Sequence, residues 1–248
     1  MDWRDEGIIL GTRRHGETSV IVELMTRERG RHLGLVQGGR SHKLRPLLQA
    51  GNRVAAEWRA RLDEHLGQFA LEPVSFAAAR LIESRLALNG LQLLAAHLRL
   101  LPERDPHPQL FETFAIILDC FDNPALAGEL IARFELKLLE ELGFGLSLDE
   151  CAATGRRDEL IWVSPKSGRA VCREAGQPYA DRMLSLPGFF AKNAGCSASV
   201  EELEVAWKLS GYFLARDVYS PRGIQQPDAR SAFISAIRKV SAPLAVSE

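Results

Sequence analysis

The spacing of hydrophobic residues changes once along the chain, near residue 76. Before that point, short segments alternate apolar and polar residues, as in Ser19 to Thr26 (SVIVELMT). After it, leucines and phenylalanines recur every three or four residues. Alternation is typical of half-buried strands, and the longer spacing is typical of amphipathic helices. We therefore expect an α+β protein with a strand-rich first domain, residues 1–76, and a mainly helical second domain, residues 77–248.

Five short strands are expected in the first domain. They are indicated by the apolar or alternating segments 7–10, 19–26, 31–36, 52–58 and 65–71. Short strands at about ten-residue spacing, with glycine-containing turns between them, fit a small barrel or sandwich. A five-stranded β-barrel of the oligonucleotide-binding (OB) type is one such fold.

The second domain is predicted to contain several helices and one irregular segment. Helical spacing of leucines runs from Ala77 to Leu101 and resumes further along the chain. Residues 146–195 lack this period and are expected to form an irregular insertion. Ser199 and Glu202 have the spacing of a capping box, which predicts that a helix begins there. A last helix is expected from Asp228 to Val240.

Charge is balanced over the whole chain but not locally. The 31 Lys and Arg residues oppose 32 Asp and Glu residues, which gives a net charge of −1. The segment from Arg27 to Arg61 alone holds nine basic and two acidic residues, a local charge of +7. A basic segment on a neutral protein indicates a localised site for a polyanion. Gly38 and Gly39 lie within it, and glycines let a phosphate chain approach the backbone closely.

Motifs of common catalytic and nucleotide-binding sites are absent from the sequence. It contains no GxxxxGK[ST], GxSxG or HExxH pattern and no GxGxxG after a strand. Its four cysteines include no CxxC pair, and Cys151 with Cys172 supplies only two of the four ligands of a structural zinc site. We therefore expect no enzyme activity, no catalytic residue, no metal and no cofactor. The acidic N-terminus and the short apolar runs predict a cytoplasmic protein without membrane association.

Four stretches of the sequence carry the motifs of a known family. They are residues 6–41 (EGIILGTRRHGETSVIVELMTRERGRHLGLVQGGRS), 47–72 (LLQAGNRVAAEWRARLDEHLGQFALE), 133–155 (RFELKLLEELGFGLSLDECAATG) and 162–176 (WVSPKSGRAVCREAG). In this order they resemble the RecO family of DNA repair and recombination-mediator proteins. The resemblance implies an N-terminal OB fold, a central helical domain and an irregular insertion that is a zinc finger in some members.

The same resemblance implies a function and partners. Members of the family bind single- and double-stranded DNA, anneal complementary strands, and interact with RecR and with the single-strand-binding protein (SSB). Together with RecR they help RecA load on SSB-coated strands during recombinational repair. For this chain we therefore expect a non-enzymatic mediator that is cytoplasmic and associated with the nucleoid.

The expected DNA-binding residues lie in the basic segment. The family's basic stretch after the third strand matches Arg40, His42 and Lys43 in this chain, and three further arginines are added on charge grounds. The full set is Arg27, Arg31, Arg40, His42, Lys43 and Arg45.

A second site is expected in the helical domain, where the family binds the acidic C-terminal tail of SSB. The matching helix begins at Arg133, and Lys137, four residues later, lies on the same helix face. Phe134 or Leu138 would border an apolar slot beside them. Alternatively, the two cations pair with neighbouring glutamates.

The metal site is the point at which this sequence departs from the zinc-binding members. It keeps Cys151 and Cys172 but has Thr154 and Ala175 at the other two cysteine positions. We therefore expect a zinc-free, degenerate finger held by packing and hydrogen bonds.

Two other functions are open at this point. One alternative is an RNA-binding OB module with a helical partner domain. Alternatively, the insertion is an enzyme site with Cys151 or Cys172 as the nucleophile, activated by nearby basic residues that lower the pKa of the thiol.

Overall fold

The structure is a computed structural model that describes residues 1–190 and 198–241. It divides into two compact units, Met1–Phe121 and the chain from Asp122 onward, and each unit is described by itself. The last part of the expected insertion, residues 191–195, lies outside the described residues, as does Cys196.

The first unit begins with a closed five-stranded barrel. Its strands are β1 (Asp2–His15), β2 (Ser19–Thr26), β3 (Gly30–Val36), β4 (Arg53–Arg59) and β5 (Gln68–Ser75). They neighbour one another in the order β1-β2-β3-β5-β4, and β4 pairs back with β1. Five strands are thus confirmed, although β1 extends well beyond the predicted segment 7–10. Its polar first half pairs with β4 and its polar second half with β2, with a bulge between Ile9 and Gly11.

The barrel interior is filled by the apolar face of each alternating strand. Val22, Leu24, Val54 and Trp58 are fully buried there. The indole N–H of Trp58 donates to the carbonyl of Leu66, 3.0 Å away, so the polar atom of this large side chain is paired inside the core.

Three helices complete the first unit: α1 (Ala78–Glu83), α2 (Arg85–Leu98) and α3 (Pro108–Asp119). The helical region expected at Ala77–Leu101 is interrupted at Ser84, whose backbone is extended and whose hydroxyl accepts the N–H of Ala87 to cap α2. The side chain of Asn52 accepts the N–H of Ala78, and Arg53 donates to Asp119, so α1 and α3 are tied to the barrel. These bonds explain why the compact unit continues to Phe121, and the division between residues 76 and 77 stays a prediction.

The second unit is mainly helical, as expected. Its elements are α4 (Pro124–Glu141), β6 (Leu160–Val163), β7 (Ala170–Cys172), α5 (Arg173–Gly176), β8 (Leu184–Ser185), α6 (Val200–Phe213) and α7 (Asp228–Ser241). The segment expected to be irregular therefore contains a three-stranded sheet of order β7-β6-β8. The capping box of Ser199 and Glu202 is confirmed at the start of α6.

A buried ion pair joins α4 and α7 within this unit. The guanidinium of Arg230 lies 2.8 and 2.9 Å from the two carboxylate oxygens of Glu135, which is fully buried. Ser210 also donates to this carboxylate, and Arg230 donates to the carbonyl of Trp207. A Cβ at Gly211 would lie 2.8 Å from the Arg230 guanidinium, so glycine leaves the space that the arginine needs.

Candidate nucleic-acid interface

The basic segment borders a pocket between the end of the β1–β2 hairpin and the turns that follow β3. The pocket has a volume of about 360 Å³. Its lining residues are Thr12, Arg14, Val20, Gly39, Arg40, Arg45, Leu48 and Gln49. Three of them are arginines and none is acidic, and we call this recess the arginine pocket.

The backbone around Gly39 places Arg40 at the mouth of the arginine pocket. A Cβ at Gly39 would lie only 3.0 Å from Val20 and 3.1 Å from Leu48, so the absence of a side chain lets this turn pack on the barrel. The N–H of Arg40 donates to the carbonyl of Thr18, and its guanidinium donates to the carbonyl of Glu17. Arg40 is thereby fixed to the tip of the β1–β2 hairpin.

The next turns of the chain position the third arginine. The N–H groups of Arg45 and Leu48 each donate to the carbonyl four residues earlier, so residues 41–48 form two successive helix-like turns. The side-chain amide of Gln49 donates to the carbonyl of Arg45 at 2.8 Å. The guanidinium of Arg45 therefore extends from a braced backbone.

The cations of the arginine pocket are not neutralised within the part of the chain that the structure describes. Arg14, Arg40 and Arg45 are exposed, and none of them forms an ion pair with a described carboxylate. His42 and Lys43 are exposed on the same stretch of chain, again without a carboxylate partner among described residues. Such a surface attracts anions, because no described carboxylate pairs with its cations.

Arg27 and Arg31 have a different environment. Arg27 lies 3.0 Å from Glu6 and 2.6 Å from Glu112, and Arg31 lies 3.0 Å from Glu23. Arg31 also donates to the carbonyl of Leu101, and its side chain is only 13% exposed. The geometry assigns both arginines to contacts within the first unit, and their role as DNA contacts stays a prediction.

Arg14 is a cation of the arginine pocket that lies outside the expected set of DNA-binding residues. It lies near the end of β1, outside the window from Arg27 to Arg61 over which charge was counted. β1 pairs Arg14 with Val20 of β2, and this pairing brings it beside the turn of Arg40. In the sequence, the adjacent residues Arg13 and Arg14 at a hairpin end indicate positive charge there. Only the strand register in the structure shows that Arg14 lies in the same pocket as Arg40.

The second predicted site, at Arg133 and Lys137, is also a small pocket. It has a volume of about 260 Å³ and is lined by Arg133, Leu136, Lys137, Glu140, Leu146, Leu148 and Phe190. Arg133 lies 2.9 Å from Glu129, and Lys137 lies 3.1 Å from Glu140, so both cations pair with neighbouring glutamates.

The apolar border of this pocket differs from the expected one. Phe134 and Leu138 are fully buried in the helical core, so the expectation that one of them borders an exposed slot is wrong. They point inward because they continue the buried stripe of α4, whereas Leu136 lies on the outer face.

Comparison with known proteins places this chain in a family. Family models described as "Recombination protein O N terminal" and "Recombination protein O C terminal" match residues 1–76 and 91–223. A DNA repair protein RecO of Brucella abortus (strain 2308) is 62% identical over 237 residues, which cover 96% of each chain. The chain belongs to the RecO family. It is therefore a DNA repair and recombination protein, as the resemblance predicted.

Other RecO proteins show similar agreement along their length. DNA repair protein RecO of Mesorhizobium japonicum is 60% identical over 239 residues, covering 96% of this chain and 94% of the relative. That of Rhizobium etli is 58% identical over 243 residues, covering 98% and 95%. Within the described residues of this RecO-family chain, every helix is too short or too polar to cross a bilayer.

The insertion of this RecO-family chain contains the two cysteines that were singled out. Cys151 and Cys172 are each 1% exposed and pack with Val171. The N–H of Cys172 donates to the sulfur of Cys151 at 3.3 Å, and the hydroxyl of Thr154 lies 3.6 Å from the sulfur of Cys172. Thr154 and Ala175 occupy the other two cysteine positions of zinc-binding members. Thr154 provides a hydroxyl that hydrogen-bonds to Cys172, and Ala175 provides no ligand atom. This donor set does not fit a four-ligand zinc site, and the described residues hold no group of three or more metal-ligating side chains.

The hydrogen bonds at Cys151 also change its acidity. Burial raises the pKa of this thiol, but donors from Thr154, Cys172 and Ala153 outweigh burial and lower the pKa to about 6. An acidic thiol is one requirement of the thiol-enzyme alternative. The cause, however, is hydrogen bonding rather than the basic residues expected from the sequence, and the buried sulfur lacks the access that a nucleophile requires.

Proposed function

We propose that this chain is a recombination mediator that binds single- and double-stranded DNA through the arginine pocket. The observation that carries the proposal is the meeting of Arg14, Arg40 and Arg45, without a described carboxylate partner, in one recess of the barrel. The closed strand order β1-β2-β3-β5-β4 supports an OB-type barrel, a fold that commonly binds oligonucleotides.

Binding by this surface is governed by charge rather than by base recognition. Proteins that bind single strands usually add aromatic side chains on which bases stack. In this barrel Trp58 is fully buried and Phe69 is 5% exposed, so neither provides such a platform. Arginine and lysine neutralise phosphates whatever the sequence, and the affinity falls steeply as salt is raised.

Charge-dominated binding suits strand annealing. Cations that neutralise phosphates lower the repulsion between two strands. Because few base contacts are made, the Watson–Crick edges stay free to pair. We propose that the chain anneals complementary strands in this way and, with RecR, helps RecA load on SSB-coated DNA.

The pocket at Arg133 and Lys137 is proposed to hold the acidic C-terminal tail of SSB. Its two cations suit the acidic residues of the tail, and Leu136 and Phe190 offer an apolar wall to its hydrophobic end. Binding requires the tail carboxylates to displace Glu129 from Arg133 and the neighbouring glutamates from Lys137. These ion pairs are partly exposed and contribute little to stability.

The insertion is proposed to be a degenerate finger that works without zinc. The sulfur and hydroxyl contacts among Cys151, Thr154 and Cys172 do the bridging that a metal does in a complete site. Its role is then structural or as a surface for a partner protein. A metal analysis of the purified protein that finds about one zinc per chain would reject this assignment.

The deciding experiment is fluorescence-detected annealing of two complementary oligonucleotides, naked and SSB-coated, over a salt series. The wild-type chain is expected to accelerate annealing on both substrates at low salt. Replacing Arg40 and Lys43 by Glu is expected to abolish that acceleration. The matched control replaces Arg29 and Arg61 by Glu, which changes the net charge equally at exposed sites of the same basic segment outside the arginine pocket.

The outcomes separate the competing functions. No acceleration on either substrate at low salt would rule out annealing by this chain. Equal losses in the two double variants would show that total charge matters and the pocket does not. Tighter binding to RNA than to DNA of the same sequence would favour the RNA-binding alternative.

A further inference from the structure

The arginine pocket is a recess lined by three segments of the chain. Its walls come from β1, β2 and the turns after β3, and its floor is made by the nearly buried side chains of Val20 and Leu48 beside Gly39. A continuous strand needs a path that is open at both ends. A recess walled by three segments of chain instead favours a group that terminates there.

The charge of the recess exceeds what one internal phosphate balances. Arg14, Arg40 and Arg45 each bring a full positive charge, and the described lining contains no acid. An internal phosphodiester carries one negative charge, whereas a phosphate monoester carries about −1.5 to −2 at neutral pH. The mutual repulsion of three guanidinium groups is therefore relieved more fully by a monoester.

The hydrogen-bonding groups of the recess suit the same ligand. A guanidinium presents five N–H donors in a planar fork and binds phosphate oxygens in pairs. Arg40 uses part of its guanidinium on the carbonyl of Glu17 and keeps the rest for a ligand. The hydroxyl of Thr12 adds a further donor at the wall. A monoester offers three terminal oxygens to these donors, and a diester offers two.

We propose that the arginine pocket binds the terminal phosphate monoester of a DNA strand, so that the protein prefers phosphorylated strand ends to hydroxyl ends. The inference rests on the proposed function, because the polyanion is taken to be DNA. Exposed Lys43, which lies between Arg40 and Arg45 in the sequence, contacts internal phosphates of the same DNA strand.

The test compares oligonucleotides that differ only at their ends, by competition in fluorescence anisotropy. One single strand of about 20 nucleotides is used with a 5′-phosphate, with a 3′-phosphate, or with hydroxyls at both ends. A hydroxyl-ended strand one nucleotide longer controls for the added charge. We expect roughly tenfold tighter binding of one phosphorylated strand than of either hydroxyl strand, since charge-assisted hydrogen bonds are the strong ones, and the two phosphorylated arms show which end is bound.

Variants assign the preference to the pocket. Arg14→Gln and Arg45→Gln, at exposed residues whose folding is checked by thermal melts, are expected to remove the end preference. The control Lys43→Gln is expected to weaken all strands equally and to keep the preference.

Failure of this inference differs from failure of the proposed function. If all four strands bind equally and Arg14→Gln weakens all of them alike, the pocket holds internal phosphates and the inference is overturned while DNA binding stands. An end preference that survives both pocket variants also overturns the inference. If no strand binds at low salt, the inference and the proposed function fail together.

Discussion

Arg31 and Arg40 belong to the same basic segment but differ in what neutralises them. Arg31, on β3, is 13% exposed and lies 3.0 Å from Glu23 and 3.5 Å from Glu103. Arg40, in the turns after β3, is exposed, and among described residues its guanidinium bonds only to a backbone carbonyl. Arg31 therefore stabilises contacts within the first unit, whereas Arg40 is available to an external anion.

The comparison shows that a count of charge along the sequence overstates the open positive charge. Within the part of the chain that the structure describes, four of the nine basic residues between positions 27 and 61 have a carboxylate partner, and those four are Arg27, Arg31, Arg53 and Arg59. Partners such as Glu112 and Asp119 come from α3, far away in the sequence. A count over residues 27–61 also omits Arg14, which lines the same pocket as Arg40 and Arg45. We call these three residues the open arginines.

The largest effect is expected for Arg31→Gln. This substitution leaves Glu23, which is 14% exposed, with one fewer partner and removes a bond to the carbonyl of Leu101. We expect a loss of about 3 kcal/mol in the free energy of unfolding, measured by urea denaturation. The control Arg29→Gln, at an exposed site of the turn just before β3, should change it by less than about 0.5 kcal/mol. Equal unfolding free energies of the two variants would show that an arginine with a carboxylate partner contributes no more to stability than one without.

The open arginines should affect DNA binding instead of stability. On a single strand with hydroxyl ends, the pocket can contact only internal phosphates. Replacing Arg14, Arg40 and Arg45 together by Gln is expected to lower the log–log salt slope on that strand by about 2, because each lost phosphate contact removes roughly 0.7. If affinities are equal at 1 M salt, the same change of slope corresponds to a loss of roughly 100-fold in affinity near 0.1 M salt. The unfolding free energy should stay close to that of the wild type. Arg31→Gln, measured where it is folded, should keep the wild-type slope.

Gly39→Ala tests how the open group is positioned. Its Cβ would lie 3.0 Å from Val20 and 3.1 Å from Leu48, so the turn carrying Arg40 must move outward. We expect a destabilisation of about 1 kcal/mol from overpacking, together with a severalfold loss of DNA affinity. The neighbouring exposed substitution Gln37→Ala should change neither quantity. Wild-type affinity in Gly39→Ala would indicate that the position of this turn is unimportant for binding.

His32 lies in a third kind of environment for a basic residue of this segment, because it is buried among aromatic rings. The effect expected from its titration is the smallest of the four. It is buried against Trp3 and Trp58, and this burial lowers its pKa below the ordinary value for histidine. The folded state therefore binds a proton less readily than the unfolded state, so stability is full above about pH 6.5 and falls as the pH drops below it. The urea midpoint should decrease from pH 7 to pH 5 in the wild type and decrease less in His32→Gln. A steeper dependence in the variant would contradict this account.

Most of the elements were predictable because their signal is local. The alternation in β2 and the leucine spacing in α2 each report burial of one face, and the capping box at Ser199 is a contact between near neighbours. The failures have a physical cause as well. The polar ends of β1 show no alternation of their own, and one extended residue at Ser84 hardly disturbs the leucine spacing. The inward direction of Phe134 also depends on how α4 packs.

The sequence by itself determined the family, the five strands, the helical second half and the presence of a basic segment near β3. Only the tertiary structure decided which arginines are held by carboxylates and which are open, and that Arg14 shares a pocket with Arg40. The reason is that periodicity reflects neighbours a few positions apart, whereas an ion pair forms only when two charges approach within about 4 Å. Folding alone brings Glu103 to Arg31 and leaves Arg40 without a described acidic partner.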